Sequence, residues 1–248
     1  MLENKTVVIT GGSSGIGRST ARLFAENGAD VIITYNKNAK GAEDVCKEIE
    51  KVGSKSFAIQ VDFTNPIEIS EMWNKIETNY EKIDILINNA GILGGEPFID
   101  SSIEHWQNVL QVNFISAVQC SQRAARIMLK NKCGKIINTT SIRGLNHCGR
   151  EGVMAYSSAK AALHNFTLTL AKELSPHIQV NAVAPGFVQT PYYDNIEKSI
   201  LNKFIENSLI DRFVSAEEIA DGFLFLSKSD SITGEIITID GGYNLVKG

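Results

Sequence analysis

Thr10-Gly11-Gly12-Ser13-Ser14-Gly15-Ile16-Gly17 is the stretch whose reading decides the fold. It follows a β-branched run at 6–10 and opens a helical pattern over 15–27. Glycine permits positive φ and close approach of backbone to a phosphate, and the free N–H groups of a helix N-terminus supply positive potential. A dinucleotide-binding turn needs that position and that composition.

Outward from this turn, short β-branched runs at 6–10, 31–35, 56–61, 83–88, 135–140, 179–183 and 235–239 read as strands. Helical patterns at 15–27, 39–52, 66–80, 103–131, 155–175 and 216–226 separate them. Asn65 before Pro66, and Ser215 before Ala216-Glu217-Glu218, mark helix starts with an N-cap residue followed by proline or dipole-matching acids. Alternation of this kind predicts repeated βαβ units, and strands apolar on both faces predict helices on both sides of the sheet. We therefore read an α/β chain: a single Rossmann-type, doubly wound domain over 1–248 with a parallel sheet of about seven strands. The glycine-rich cofactor half covers about 1–90, and the catalytic and substrate half about 91–248. The stretch 190–212 fits no strand and is only weakly helical, which makes it a candidate lid.

Composition excludes several classes. Of 248 residues, 43% are apolar and 21% charged, ordinary values for a protein with a sizeable core. A net charge of −4 without clustered Lys and Arg argues against a nucleic-acid partner. No apolar run approaches the roughly 20 residues of a membrane span, and the N-terminus lacks the form of a signal peptide, so a cytoplasmic setting is expected. Cys46, Cys120, Cys133 and Cys148 form no CxxC pair, so no metal site or disulfide framework is expected, only reduced and mostly buried thiols.

The glycine spacing is G-x-x-x-G-x-G, not the more general G-x-G-x-x-G, and it resembles the motif of the short-chain dehydrogenase/reductase family. The resemblance runs on through Val61-Asp62, Asn88-Asn89-Ala90-Gly91, Asn113, Ser141, Tyr156-Ser157-Ser158-Ala159-Lys160, Pro185 to Thr190 and Gly241-Gly242, essentially the whole chain. It implies a nicotinamide dinucleotide held by Gly11, Ser13, Ser14, Gly15, Ile16 and Gly17 at the turn, and by Asp62 and Phe63 near the adenine. Asn89, Ala90 and Gly91 follow the fourth strand, and Pro185, Gly186, Val188 and Thr190 lie on the nicotinamide side. No acid ends the second strand to accept from the ribose hydroxyls and repel a 2′-phosphate, so NADP(H) is favoured, with Lys37 and Asn36 as phosphate partners, and NAD(H) remains possible.

Tyr156 and Lys160 stand four residues apart in a helical pattern, on one face. An ammonium beside a phenol favours its ionised form, and hydride transfer to a carbonyl needs an acid within hydrogen-bond reach of the oxygen. Tyr156 is the expected proton donor and acceptor, Lys160 its charge partner and a further cofactor contact, and Ser141 a second donor to the substrate oxygen. The resemblance implies that Asn113 holds a water relaying protons to Lys160. Ser141 precedes Tyr156 by fifteen residues where about a dozen are expected for the family, so the loop through His147 and Arg150 is enlarged, at little closure cost.

The overall pattern is most similar to the 3-oxoacyl-(acyl-carrier-protein) reductases. Arg126 and Lys172 are basic where such reductases receive the acidic carrier, and the family implies a tetramer. Sugar, polyol or other alcohol dehydrogenases of the same family, and a non-catalytic dinucleotide sensor, are the alternatives.

Overall fold

The structure is a computed structural model describing residues 2–193 and 196–245. Seven parallel strands make one sheet in the order β3-β2-β1-β4-β5-β6-β7. They are β1 (Thr6–Ile9), β2 (Asp30–Tyr35), β3 (Ser56–Gln60), β4 (Ile85–Asn88), β5 (Gly134–Thr139), β6 (Ile178–Pro185) and β7 (Ile236–Ile239). The strand order reverses at β1, which pairs with β2 on one side and β4 on the other. Ligands of open parallel sheets bind at that reversal, beyond the strands' carboxyl ends.

Side-chain alternation explains the two-sided burial. Val7 and Ile9 of β1 join Val31, Ile33, Ile85 and Ile87 in one apolar layer. Val8 joins Ile32, Leu86 and Ile136 in the other. The first layer is closed by α1 (Gly15–Glu26), α2 (Ala39–Lys51) and α8 (Ala216–Lys228). The second is closed by α3 (Pro66–Asn79), α5 (Ser116–Lys130) and α6 (Met154–Glu173). Trp73, Phe24 and Phe223 are fully buried between sheet and helices, each contributing about 1.5–3 kcal/mol over an exposed position.

The expected helix starts are where the sequence marks them. Asn65 accepts from the Ile67 amide with Pro66 in the first turn, and Ser215 and Glu218 form a reciprocal capping box on α8. Two expectations are corrected. The single helix at 103–131 is α4 (Ile103–Leu110), a π-helical turn at Gln111–Ile115 and α5. The stretch 190–212 is more ordered than its weak pattern suggests, with a 3₁₀ turn at Pro191–Tyr193 and α7 (Lys198–Glu206). No side chain of α7 is fully buried. Its Phe204 ring is stacked on Phe187 at 4.0 Å between centroids and lies under Arg150. Of the cysteines, Cys120 and Cys148 are buried, Cys46 is partly buried and Cys133 is exposed, and all four are free.

Candidate active site

The glycine turn leans on β2 and β4. The Gly11 amide donates to Thr34 Oγ1 at 3.0 Å and the Gly12 amide to the Thr34 carbonyl at 2.8 Å. Thr10 Oγ1 accepts from the amides of Asn89 and Ala90 at 2.8 and 2.9 Å, while Asn89 Nδ2 donates to the carbonyls of Thr10 and Gly11. The two loops flanking the sheet's reversal point are therefore one hydrogen-bonded unit. A Cβ on Gly17 would stand 2.1 Å from the Gly11 carbonyl oxygen, so only glycine lets α1 start this close to the strand end. Gly15 has φ +50°, and its α-carbon faces Thr190 of the loop after β6.

Ser14 is the N-cap residue of α1, yet its side chain caps nothing, and the first turn holds no acid. By contrast Asn38, Asn65, Ser102 and Ser215 cap α2, α3, α4 and α8 with their side chains. Uncapped amides behind a glycine-rich turn fit a pyrophosphate, so the residues present suit the dinucleotide. Among the described residues no cluster is fit to hold a metal ion, and no helix is long and apolar enough to cross a membrane.

At the other half of the reversal point, Ser141 ends the loop after β5 and Tyr156 and Lys160 project from α6. Gly144 brings these parts together, because a Cβ there would lie 2.7 Å from the Lys160 carbonyl carbon. The 3₁₀ turn Ile142–Gly144 thus rests on the backbone of α6 itself. Ser141 Oγ accepts from the Arg143 amide at 3.1 Å, which leaves its own proton to donate. Burial pushes the Tyr156 phenol above its ordinary value, while the Ser141 hydroxyl and the Arg143 charge pull it back. The phenol is therefore protonated at neutral pH. Lys160 is 3% exposed, and burial lowers its pKa to about 8. Its ammonium donates to the Thr139 carbonyl at 2.7 Å and lies 5.6 Å from the centre of the Tyr156 ring. The Arg143 charge also acts on the phenol, a cation that sequence reasoning did not place there.

Asn113 sits in the π-helical turn, 1% exposed. Its Nδ2 donates to the carbonyls of Ile92 and Val109, both at 2.9 Å, and its Oδ1 accepts from the Ile92 amide. The amide is thus spent on fixing the loop after β4. A cleft of about 250 Å³ gathers Ile16, Asn89, Gly91, Asn113, Ser141, Tyr156, Lys160, Pro185, Gly186, Val188 and Thr190.

A second expected group lies at the β2 and β3 ends. Asp62 Oδ1 accepts from the amide and hydroxyl of Thr64, and with Lys37 and Asn36 nearby its carboxyl lies below the usual range. Asn38 bridges the groups, accepting from the Gly41 amide and donating to the Ser13 carbonyl. The Phe63 side chain belongs to the buried apolar layer with Val61 and Ile69. Sequence reasoning missed Asn138 and Thr167. Asn88 Nδ2 donates to Asn138 Oδ1 at 2.9 Å, and Asn138 Nδ2 to Thr167 Oγ1 at 2.9 Å, tying β4, β5 and α6 beneath the cleft. Only the polarity of Asn138 in an apolar strand signalled it.

Comparison with known proteins agrees with this geometry. A family model described as enoyl-(acyl carrier protein) reductase matches residues 11–244. A 3-oxoacyl-[acyl-carrier-protein] reductase of Aquifex aeolicus is 38% identical over 97% of this chain and 98% of its own. One from Synechocystis is 35% identical over 97% of both chains. Among solved structures, a Serratia marcescens short-chain dehydrogenase/reductase variant superposes with TM-score 0.91 at 32% identity, covering 98% of each chain. An acetoin dehydrogenase from Enterobacter cloacae gives 0.89 at 34% identity, covering 100% of this chain and 97% of that one.

Proposed function

Since the chain belongs to the short-chain dehydrogenase/reductase family, we propose that it reduces a 3-oxoacyl thioester, with Tyr156 as the proton donor and NADP(H) as the preferred cofactor. The observation that carries this reading is the meeting of Ser141, Tyr156 and Lys160 in one cleft at the carboxyl ends of the strands. When bound, the nicotinamide supplies the hydride for the carbonyl carbon. The protonated phenol of Tyr156 gives its proton to the carbonyl oxygen, and the Ser141 hydroxyl donates a hydrogen bond to the same atom as negative charge gathers there. Lys160 holds its ammonium beneath the phenol and offers donors to the nicotinamide ribose. Asn113 keeps the loop after β4 in place, and the carbonyls of its π-helical turn are the acceptors for a water leading to Lys160.

The uncapped N-terminus of α1 would receive the pyrophosphate, with Val188 and Thr190 against the nicotinamide. The Asn36 and Lys37 pair would receive the 2′-phosphate. Two of the curated relatives named above act on a carrier-linked substrate by their names, and the exposed Arg126 and Lys172 are the candidate contacts for an acidic carrier. Arg126 shares its face with Glu77 and Glu81 as well as Arg123 and Lys130, so the basic surface is small. A cytoplasmic homotetramer is the assembly proposed from the family. Steady-state reduction of 3-oxobutanoyl thioesters, free and carrier-linked, with NADPH and with NADH in parallel tests this reading. It expects turnover of the 3-oxo group and a higher kcat/KM with NADPH, and a strong preference for NADH would overturn the cofactor assignment. Turnover of small hydroxy-ketones with no activity on thioesters would favour the alcohol-dehydrogenase alternative, which the likeness to the acetoin dehydrogenase keeps in view.

A further inference from the structure

A second cavity of about 490 Å³ opens from the catalytic cleft and shares Ser141, Tyr156 and Gly186 with it. Its walls are mostly apolar and aromatic, yet two of its lining residues are Arg143 and Arg150. From them we infer that the substrate entering this cavity carries a carboxylate as well as the carbonyl, and that these two guanidiniums bind it. The inference rests on the carbonyl-reductase reading above and narrows it to an oxo chain with an anionic end.

The two guanidiniums sit against aromatic rings, which take no conventional hydrogen bond from them. Arg143 lies over the Phe187 ring at 5.3 Å and over Tyr243 at 5.7 Å. Arg150 lies over Phe204 at 5.3 Å. Phe187 and Phe204 are themselves stacked, 4.0 Å apart and 15° from parallel, so each arginine rests on one member of a stacked pair. Arg143 spends one donor on the Cys148 carbonyl at 3.1 Å. Arg18, Arg22, Arg123 and Arg212 form ion pairs, whereas among the described residues Arg126, Arg143 and Arg150 form none, and of these three Arg143 and Arg150 line the cavity.

Nearby carboxylates are otherwise engaged. Glu197 lines the same cavity, but its Oε1 accepts from Ser199 Oγ at 2.5 Å. Asp240, behind Gly186, accepts from the amides of Gly242 and Asn244. The cavity thus faces its occupant with two cations against one acid. An apolar acyl chain filling it would strip water from guanidinium edges and leave them unpaired, which is costly. A carboxylate meets the planar fork in two parallel hydrogen bonds. Arg143 is half-buried beside the phenol, and Arg150 is exposed at the mouth next to α7. An anion between them would also draw α7 against the rest of the cavity wall.

The test uses two substrate pairs that differ only in charge, with the cofactor-loaded enzyme. One pair is 3-oxobutanoate and its methyl ester. The other is 3-oxohexanoyl-N-acetylcysteamine and the same thioester with a carboxylate in place of its terminal methyl. In at least one pair the charged member should have the higher kcat/KM, by about 10-fold or more. Arg143→Met and Arg150→Met should bring the charged-to-neutral ratio down towards one, and Arg150→Lys should restore part of it. A preference for the neutral member in both pairs, or equal losses on both members in the Met variants, would overturn the inference while leaving the reductase reading intact. No turnover of any of the four would take down both.

Discussion

Lys160 is the residue whose environment is most unusual for its type. Burial takes its pKa from the ordinary 10.5 to about 8. Below pH 8 both folded and unfolded chains hold the proton, and the folded chain carries the full cost of a buried ammonium. Between pH 8 and 10.5 the unfolded chain keeps a proton that the folded one releases, so this residue's contribution to stability improves as pH rises through that window. Lys160→Met should therefore melt no lower than wild type at pH 7 without cofactor, even after losing the bond to the Thr139 carbonyl, and the difference should shift against the variant as pH approaches 10.5. A melting difference independent of pH would mean that Lys160 is not buried as a charge. Its ammonium should matter to turnover in the opposite sense, with ketone reduction falling above pH 8 as the positive charge is lost. The sequence revealed Tyr156 and Lys160 by their spacing and order. It did not reveal Arg143 as a further cation near the phenol, because that depends on how a loop of unremarkable composition folds back over α6.

At the scale of the element, the proposed function gives cofactor binding to α1 and its glycine turn. Gly17→Ala would place a methyl group 2.1 Å from the Gly11 carbonyl oxygen, so the turn must shift. The cofactor Kd, measured by quenching of protein fluorescence, should rise at least about 10-fold, and because Gly17 is buried, circular dichroism on the same preparation checks that the fold is retained. An unchanged Kd would remove the turn from the site. The capping box of α8 offers a control of a different kind: Ser215→Ala should cost about 1 kcal/mol, lowering the melting temperature by about 2–4 °C with little effect on KM for the cofactor. Both elements were legible because their signals are local: glycine spacing in one, Ser-x-x-Glu in the other. The π-helical turn at Gln111–Ile115 was not, because apolar periodicity runs smoothly through it and the interruption arises from Asn113 bonding Ile92, a contact between distant segments. Helix α7 was only weakly legible because none of its side chains is fully buried and Phe204 packs on partners outside the helix, Phe187 and Arg150.

At the scale of the whole molecule, the parallel sheet and its reversal point bring segments from every part of the chain to one edge. The strand order is recoverable from sequence only through the family resemblance, since no periodicity records which strands pair. In the proposed function the two ends of the cleft have separable tasks, the glycine turn binding the cofactor and the Ser141–Tyr156–Lys160 group transferring a proton. Surface charge tests the proposed partner: Arg126→Glu and Lys172→Glu should reduce kcat/KM for a carrier-linked substrate several-fold more than for a free thioester, because only the former needs a docking face. Equal effects on both would dismiss the docking surface. The separation of tasks is tested most directly by Tyr156→Phe, with cofactor Kd and single-turnover reduction of a 3-oxo substrate measured on the same preparation. The predicted result is a Kd close to wild type with a rate lower by roughly 10²-fold or more, the loss of a positioned acid. Near-normal turnover in that variant would contradict the account.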